Sequence, residues 1–115
     1  MTYEEVASMI AEAGVPYAYY QFPEGTGQQP PFICFYYPNS ENFSADNLPY
    51  ALIKALTIEL YTDAKDFDLE SRIESILVNH GLNYRKSETY IDTEKMQMEV
   101  YEMEVLINAD NTEQS

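Results

Sequence analysis

The chain has 115 residues, with twenty acids against six bases and a formal net charge of −14. A surface that negative repels phosphate backbones, so direct DNA or RNA binding is not expected, and any assembly must use specific patches. At 45% hydrophobic and 14% aromatic the chain has material for one core, expected over residues 1–108 as a single domain with a frayed tail at 109–115.

The opening "MTYEEVASM" carries acids where a secretory signal would need bases, and no apolar run approaches the ~18 residues of a membrane span. A chain of the cytoplasm, with no membrane contact, is expected. "NFS" at 42–44 then matches a glycosylation acceptor in form only.

Thr2 and Glu5 make a T-x-x-E capping box, and Val6, Met9, Ile10 and Ala13 recur at helical spacing behind it. Gly14 supplies a left-handed stop and Pro16 forbids continuation, so the first element is a short amphipathic helix. Tyr17, Tyr19, Tyr20 and Phe22 in "VPYAYYQF" predict a strand, and "FICFYY", Phe32 to Tyr37, predicts a second. The loop "PEGTGQQPP" between them suggests a hairpin with a wide tip. Gly25 and Gly27 do not make a phosphate cradle, because the third glycine, the lysine and the following helix are missing.

"PNSENFSADNLPY" reads as a turn-rich connection to "ALIKALTIELYT". In the second half of that run Ile58 and Leu60 share one face, with Thr57, Glu59 and Tyr61 on the other, as in a half-buried strand. Its first half could begin a helix by propensity. The period then changes: Leu69, Ile73, Ile76, Leu77 and His80 follow one helix face that stops at Gly81. "LNYRKSETYID" and "KMQMEVYEMEVLI" follow as two strands, the second with Tyr101, Met103, Val105 and Ile107 inward and Glu102 and Glu104 outward. Helices with one apolar stripe and strands with one apolar face give an α+β fold. We expect a two-layer sandwich, a mostly antiparallel sheet of four to five strands packed against two helices.

Five acids crowd "IELYTDAKDFDLES", and each has a local structural role. Asp66 stands at the N-cap, Asp68 and Glu70 in the first helical turn, Glu59 on the strand's polar face and Asp63 in the turn. Asp66, Asp68 and Glu70 imitate the start of a calcium loop, but the glycine and terminal glutamate spacing are missing. His80, the single histidine, falls in the last helical turn, where a cation complements the dipole and can bond the free carbonyls. Cys34 lies in an aromatic run and reads as a buried thiol; spacing alone leaves a Cys34–His80 dyad open, with no third orienting group indicated. The eleven tyrosines suit packing and interfaces. No catalytic residue, cofactor or metal is assigned, and no enzyme is expected.

"NFSADNLPY", "IELYTDAKDFDLESRIESIL" and "YRKSETYIDTEKMQMEVYEMEV" together resemble the small tail-terminator proteins of long-tailed bacteriophages and prophages, also called tail-to-head joining or tail-completion proteins. The matching pieces are Glu59-Leu60-Tyr61-Thr62, the Lys65-Asp66 turn, Leu69 to Glu74, Lys86 to Ile91, and Tyr101 to Val105, within residues 32–108. The resemblance implies an α+β subunit of a hexameric ring at the virion's head-tail junction. Such a ring caps the major tail tube protein, halts its polymerisation and meets the head connector or stopper. Interface residues would lie in "PEGTGQQPP", "PNSENFSADN" and "SETYIDTEK": Gly25, Thr26, Gly27, Gln28, Gln29, Asn39, Asn42, Phe43, Asp46, Asn47, Glu88 and Tyr90. A head-completion or minor capsid protein on the connector side, and a small binding domain unrelated to phage, stay open as alternatives.

Overall fold

The computed structural model describes residues 1–38, 43–45 and 48–108, with 43–45 and 48–51 as backbone only. The expected interface residues Asn39, Asn42, Asp46 and Asn47, and the expected tail, lie outside the described residues.

Helix α1 (Tyr3–Ala11) starts as its capping box dictates: the Glu5 amide donates to Thr2 Oγ1 at 3.1 Å, and the Thr2 amide to Glu5 Oε1 at 2.9 Å. It buries Val6, Met9 and Ile10 and ends before Gly14, whose φ of +78° suits glycine. Helix α2 (Phe67–Asn79) is capped by Asp66, whose side chain accepts from the Leu69 amide at 3.0 Å. Its C-cap is His80, whose amide bonds back into the last turn, and Gly81 follows at φ +77°.

The strands are β1 (Tyr17–Tyr19), β2 (Phe32–Tyr36), β3 (Phe43–Ala45), β4 (Leu48–Thr62), β5 (Tyr84–Ile91) and β6 (Met96–Asn108). They form one six-stranded sheet in the order β1-β2-β4-β6-β5, with β3 also beside β4. The fold is α+β, with both helices on one face of the sheet. Between them lies the core: Val6, Met9 and Ile10 of α1, Leu69, Ile73 and Leu77 of α2, and inward residues such as Ile33, Leu56, Ile58 and Tyr101.

Two expectations need correction. The expected hairpin is a parallel pair: Tyr17, Ala18 and Tyr19 lie beside Ile33, Cys34 and Phe35 running the same way. Parallel neighbours need a crossover of about a dozen residues. Residues 20–31 supply it, so the long loop is the return path to the start of β2 and not a hairpin tip. The Ile33 amide bonds to the Pro16 carbonyl at 2.9 Å and the Tyr20 amide to that of Phe35 at 2.7 Å, closing both ends of the pair.

Secondly, no helix begins near Ala51. β4 runs unbroken from Leu48, because β6 pairs with it from Ala51 to Thr62 while β3 and then β2 occupy its other edge. Two-sided pairing overrides the local propensity of "ALIKAL". β3 also takes Phe43 out of the turn-rich connection and adds a sixth strand to the four or five expected.

The two helices are tied at one end. Arg72 Nη1 donates to the Ala13 carbonyl at 2.7 Å, and His80 Nε2 meets Glu12 Oε2 at 2.9 Å. The imidazole therefore engages α1 instead of the free carbonyls of its own helix. For the opposite end of α2, replacing Asp66 with alanine removes the cap and is expected to lower stability by about 1 kcal/mol in a denaturant titration. The denaturant slope should be unchanged.

Candidate functional site

Polar side chains gather in two places, one under α2 and one on the sheet face away from the helices. Under α2, Lys65 Nζ donates to Glu70 Oε1 at 3.0 Å, to Glu99 Oε2 at 3.3 Å and to Glu88. Lys86 Nζ donates to Glu70 Oε1 at 2.8 Å and Glu74 Oε2 at 2.6 Å, and the Tyr101 hydroxyl to Glu74 at 2.9 Å. Glu70 and Glu99 are buried, and Glu70 Oε2, Glu99 Oε1 and Thr62 Oγ1 have no protein partner.

Burial pushes both of these carboxyls upward, but their surroundings divide them. The Lys86 and Lys65 ammonium groups outweigh burial at Glu70 and hold it below the usual carboxylate range. At Glu99 burial wins over the bonds from Gln97 and Lys65, so its pKa stays raised. Glu70 lies in the first turn of α2, as expected, and also joins the helix to Lys65 of the turn and Lys86 of β5.

On the helix-free face, alternation along the strands brings Phe32, Cys34 and Tyr36 of β2 beside Tyr61, Glu59 and Thr57 of β4. Glu59 Oε2 accepts from the Tyr36 hydroxyl at 2.9 Å and Oε1 from that of Tyr61 at 2.7 Å. Tyr61 stacks on Phe32 with centroids 4.8 Å apart, and Phe22 sets its edge against Phe32 at 5.4 Å. Tyr20, turned by a φ of +70°, packs edge-on against Tyr36 at 5.9 Å. The result is an open groove of about 1000 Å³, walled by the 20–31 crossover, by Glu94 of the β5–β6 turn and by Met96 at the start of β6.

Burial and the Glu59 charge push the Cys34 thiol up to about 11. Tyr36 rises to about 12, through burial, its bond to Glu59, and the charges of Glu59 and Glu102. A cysteine with so little thiolate is a poor nucleophile. The structure does not bring Cys34 and His80 together, since Cys34 lines this groove while His80 lies against α1. Among the described residues no group of three or more His, Cys, Asp or Glu side chains is placed to hold a metal ion. No described helix is long and apolar enough to cross a membrane.

Of the expected interface residues, Gly25, Thr26, Gly27 and Gln29 are exposed in the crossover, and Thr26, Gly27 and Gln28 line the groove. Glu88 and Tyr90 lie inside edge strand β5, not in a loop, and Glu88 is bound to Lys65 while the Tyr90 ring is exposed. The Glu59 groove was missed by sequence reasoning. Its one signal was a carboxylate between β-branched and aromatic positions on the outward face of β4.

No family model matches the chain, and no curated protein matches it significantly. Among solved structures its fold is similar to a chain from the virion of a native gene transfer agent particle, with a TM-score of 0.55 and 14% identity. The match covers 89% of this chain and 85% of that one.

The two buried carboxyls should respond oppositely to pH. Glu70 is depressed, so its contribution is complete above the unfolded carboxylate pKa and is lost as pH falls through its folded value. Glu99 is raised, so its contribution is complete below the unfolded pKa and is lost as pH rises through its folded value. In thermal melts from about pH 3 to about pH 8, Glu70→Gln should cost most at neutral pH, with the loss closing in acid. Glu99→Gln should gain on the parent as pH rises. Cys34 should alkylate with iodoacetamide at neutral pH on the order of a hundredfold slower than a free thiol. A rate near the free-thiol value would mean that the thiol is neither covered nor shifted.

Proposed function

We propose that this chain is a tail-terminator protein, a ring subunit that closes the end of a phage-like tail tube, stops its growth and joins it to the head connector. The observation that carries this is the shared fold, over most of both chains, with a chain of a gene transfer agent virion. The motif pattern supports it: Lys65, Glu70, Glu74, Lys86 and Glu88, scattered over the quoted motifs, converge in one charged network. On this reading the work is assembly, without enzymatic turnover and without direct nucleic-acid binding.

A ring requires two different surfaces on each subunit, meeting head to tail. The sheet ends in two unlike edges: β1, with three residues, and β5, with eight. Exposed edge strands invite pairing unless something covers them. Tyr90 and Tyr19, both exposed, stand on these edges as apolar anchors. Because each subunit carries −14, ring formation should strengthen with added salt.

The test is to mix the purified chain with its tube protein, measure tube lengths by electron microscopy and determine the ring's mass at low and high salt. Tubes of limited length with six-fold caps are the expected result. Unlimited tubes, together with binding to the connector, would favour the head-completion alternative.

The crossover loop gives a finer test. Replacing Thr26, Gln28 and Gln29 with alanine keeps its length, and among the described residues the side-chain bonds at stake are local, Gln28 to the Gln29 carbonyl and Gln29 to that of Gly27. Stability should change by less than about 0.5 kcal/mol. Capping should weaken if the loop orders against the tube or a neighbour; unchanged capping would remove these residues from the interface.

A further inference from the structure

Glu59 is half-buried at the floor of the groove, and both of its oxygens hold a phenol hydroxyl. The phenols orient the carboxylate but bring no charge, and each oxygen keeps a second lone pair. Glu59 makes no ion pair among the described residues. Among the described residues the groove's lining includes a second acid, Glu94, and no lysine or arginine. Its walls are aromatic rings locked against one another, Phe32 on Tyr61 and Tyr20 on Tyr36. Such walls suit the apolar stem of a long cationic side chain, and ring faces attract its charged head.

We propose that Glu59, held by Tyr36 and Tyr61, is a socket for a lysine or arginine side chain on an extended basic segment of another protein. That the partner belongs to the same virion rests on the function proposed above. Charge decides the occupant. A second copy of this chain would bring −14 with it. Of its six bases, Lys65 and Lys86 are bound in the Glu70 network and Arg72 is bonded to the Ala13 carbonyl. A basic segment is attracted at long range by the acidic surface, and only a side chain reaching Glu59 completes the site.

The probe is a peptide of about ten residues alternating lysine and threonine, so that in extended form every second side chain faces the floor. The same peptide with glutamine for lysine is the neutral control. Titrated into the full chain and followed by amide NMR, the basic peptide should give saturable shifts concentrated in Phe32–Tyr36 and Ile58–Tyr61. The neutral peptide should give none. Glu59→Gln keeps an oxygen acceptor for the phenols and should weaken binding at least about tenfold, whereas Glu4→Gln, an equal charge change on exposed α1, should leave it nearly unchanged.

Equal losses in the two variants would reduce the effect to general attraction and overturn the socket. So would shifts lying outside the groove in the unaltered chain, a readout that does not depend on any variant folding. Tube capping is scored separately. Binding at Glu59 without rings or capping sinks the virion assignment and leaves the socket; capping without peptide binding sinks the socket alone.

Discussion

The pairing of β4 with β6, continuous from Ala51↔Asn108 to Thr62↔Gln97, sets the register on which both faces of the sheet depend. Side chains alternate along a strand, so this one ladder puts Leu56, Ile58 and Leu60 beneath the helices and Thr57, Glu59 and Tyr61 on the other side. A slip of one residue would place Glu59 in the core and Ile58 in the groove. The register is therefore held by the cost of burying a carboxylate among Val6, Met9 and Leu77 without a cation. Neighbours then follow: β2 and β3 share the remaining edge of β4, and β5 takes the free edge of β6.

Electrostatics divide along the same plane. On the helix side, acids are drawn inward and answered by two lysines, so that α2, β5 and β6 are joined by charge as well as by apolar contact. Removing one member of such a network leaves the others buried without a partner, which makes it a clamp on geometry more than a reservoir of stability. On the open side the carboxylate is answered, among the described residues, by two phenols. Its charge stays available at the surface, in a groove lined with aromatic rings.

This division separates a closed face from an open one. The helix side is closed by its own packing and ion pairs. The open face carries aromatic rings and negative charge, the sheet edges carry unpaired backbone groups, and the strong net charge discourages contacts that lack complementarity. The 20–31 crossover belongs to both parts, because it makes the β1–β2 pair possible and also forms one wall of the groove.

The sequence by itself determined what depends on residues close together in the chain. Thr2 with Glu5, Asp66, and the glycines at 14 and 81 mark helix ends through bonds spanning three or four positions. The alternation from Tyr101 to Ile107 marks a strand with one buried face. Only the tertiary structure decided what depends on distant partners. The direction of β1 beside β2 is invisible locally, because an aromatic strand followed by a polar loop fits either sense. The start of β4 was settled by its neighbours β3 and β6, and β6 lies far outside any local window. The burial of Glu70 and Glu99 could not be read locally, because the lysines that allow it come from a turn and an edge strand. Glu59 became a candidate socket only when Tyr36, twenty-three positions away, joined Tyr61 at its carboxylate, since a carboxylate's chemistry is set by the groups around it and those are chosen by the fold.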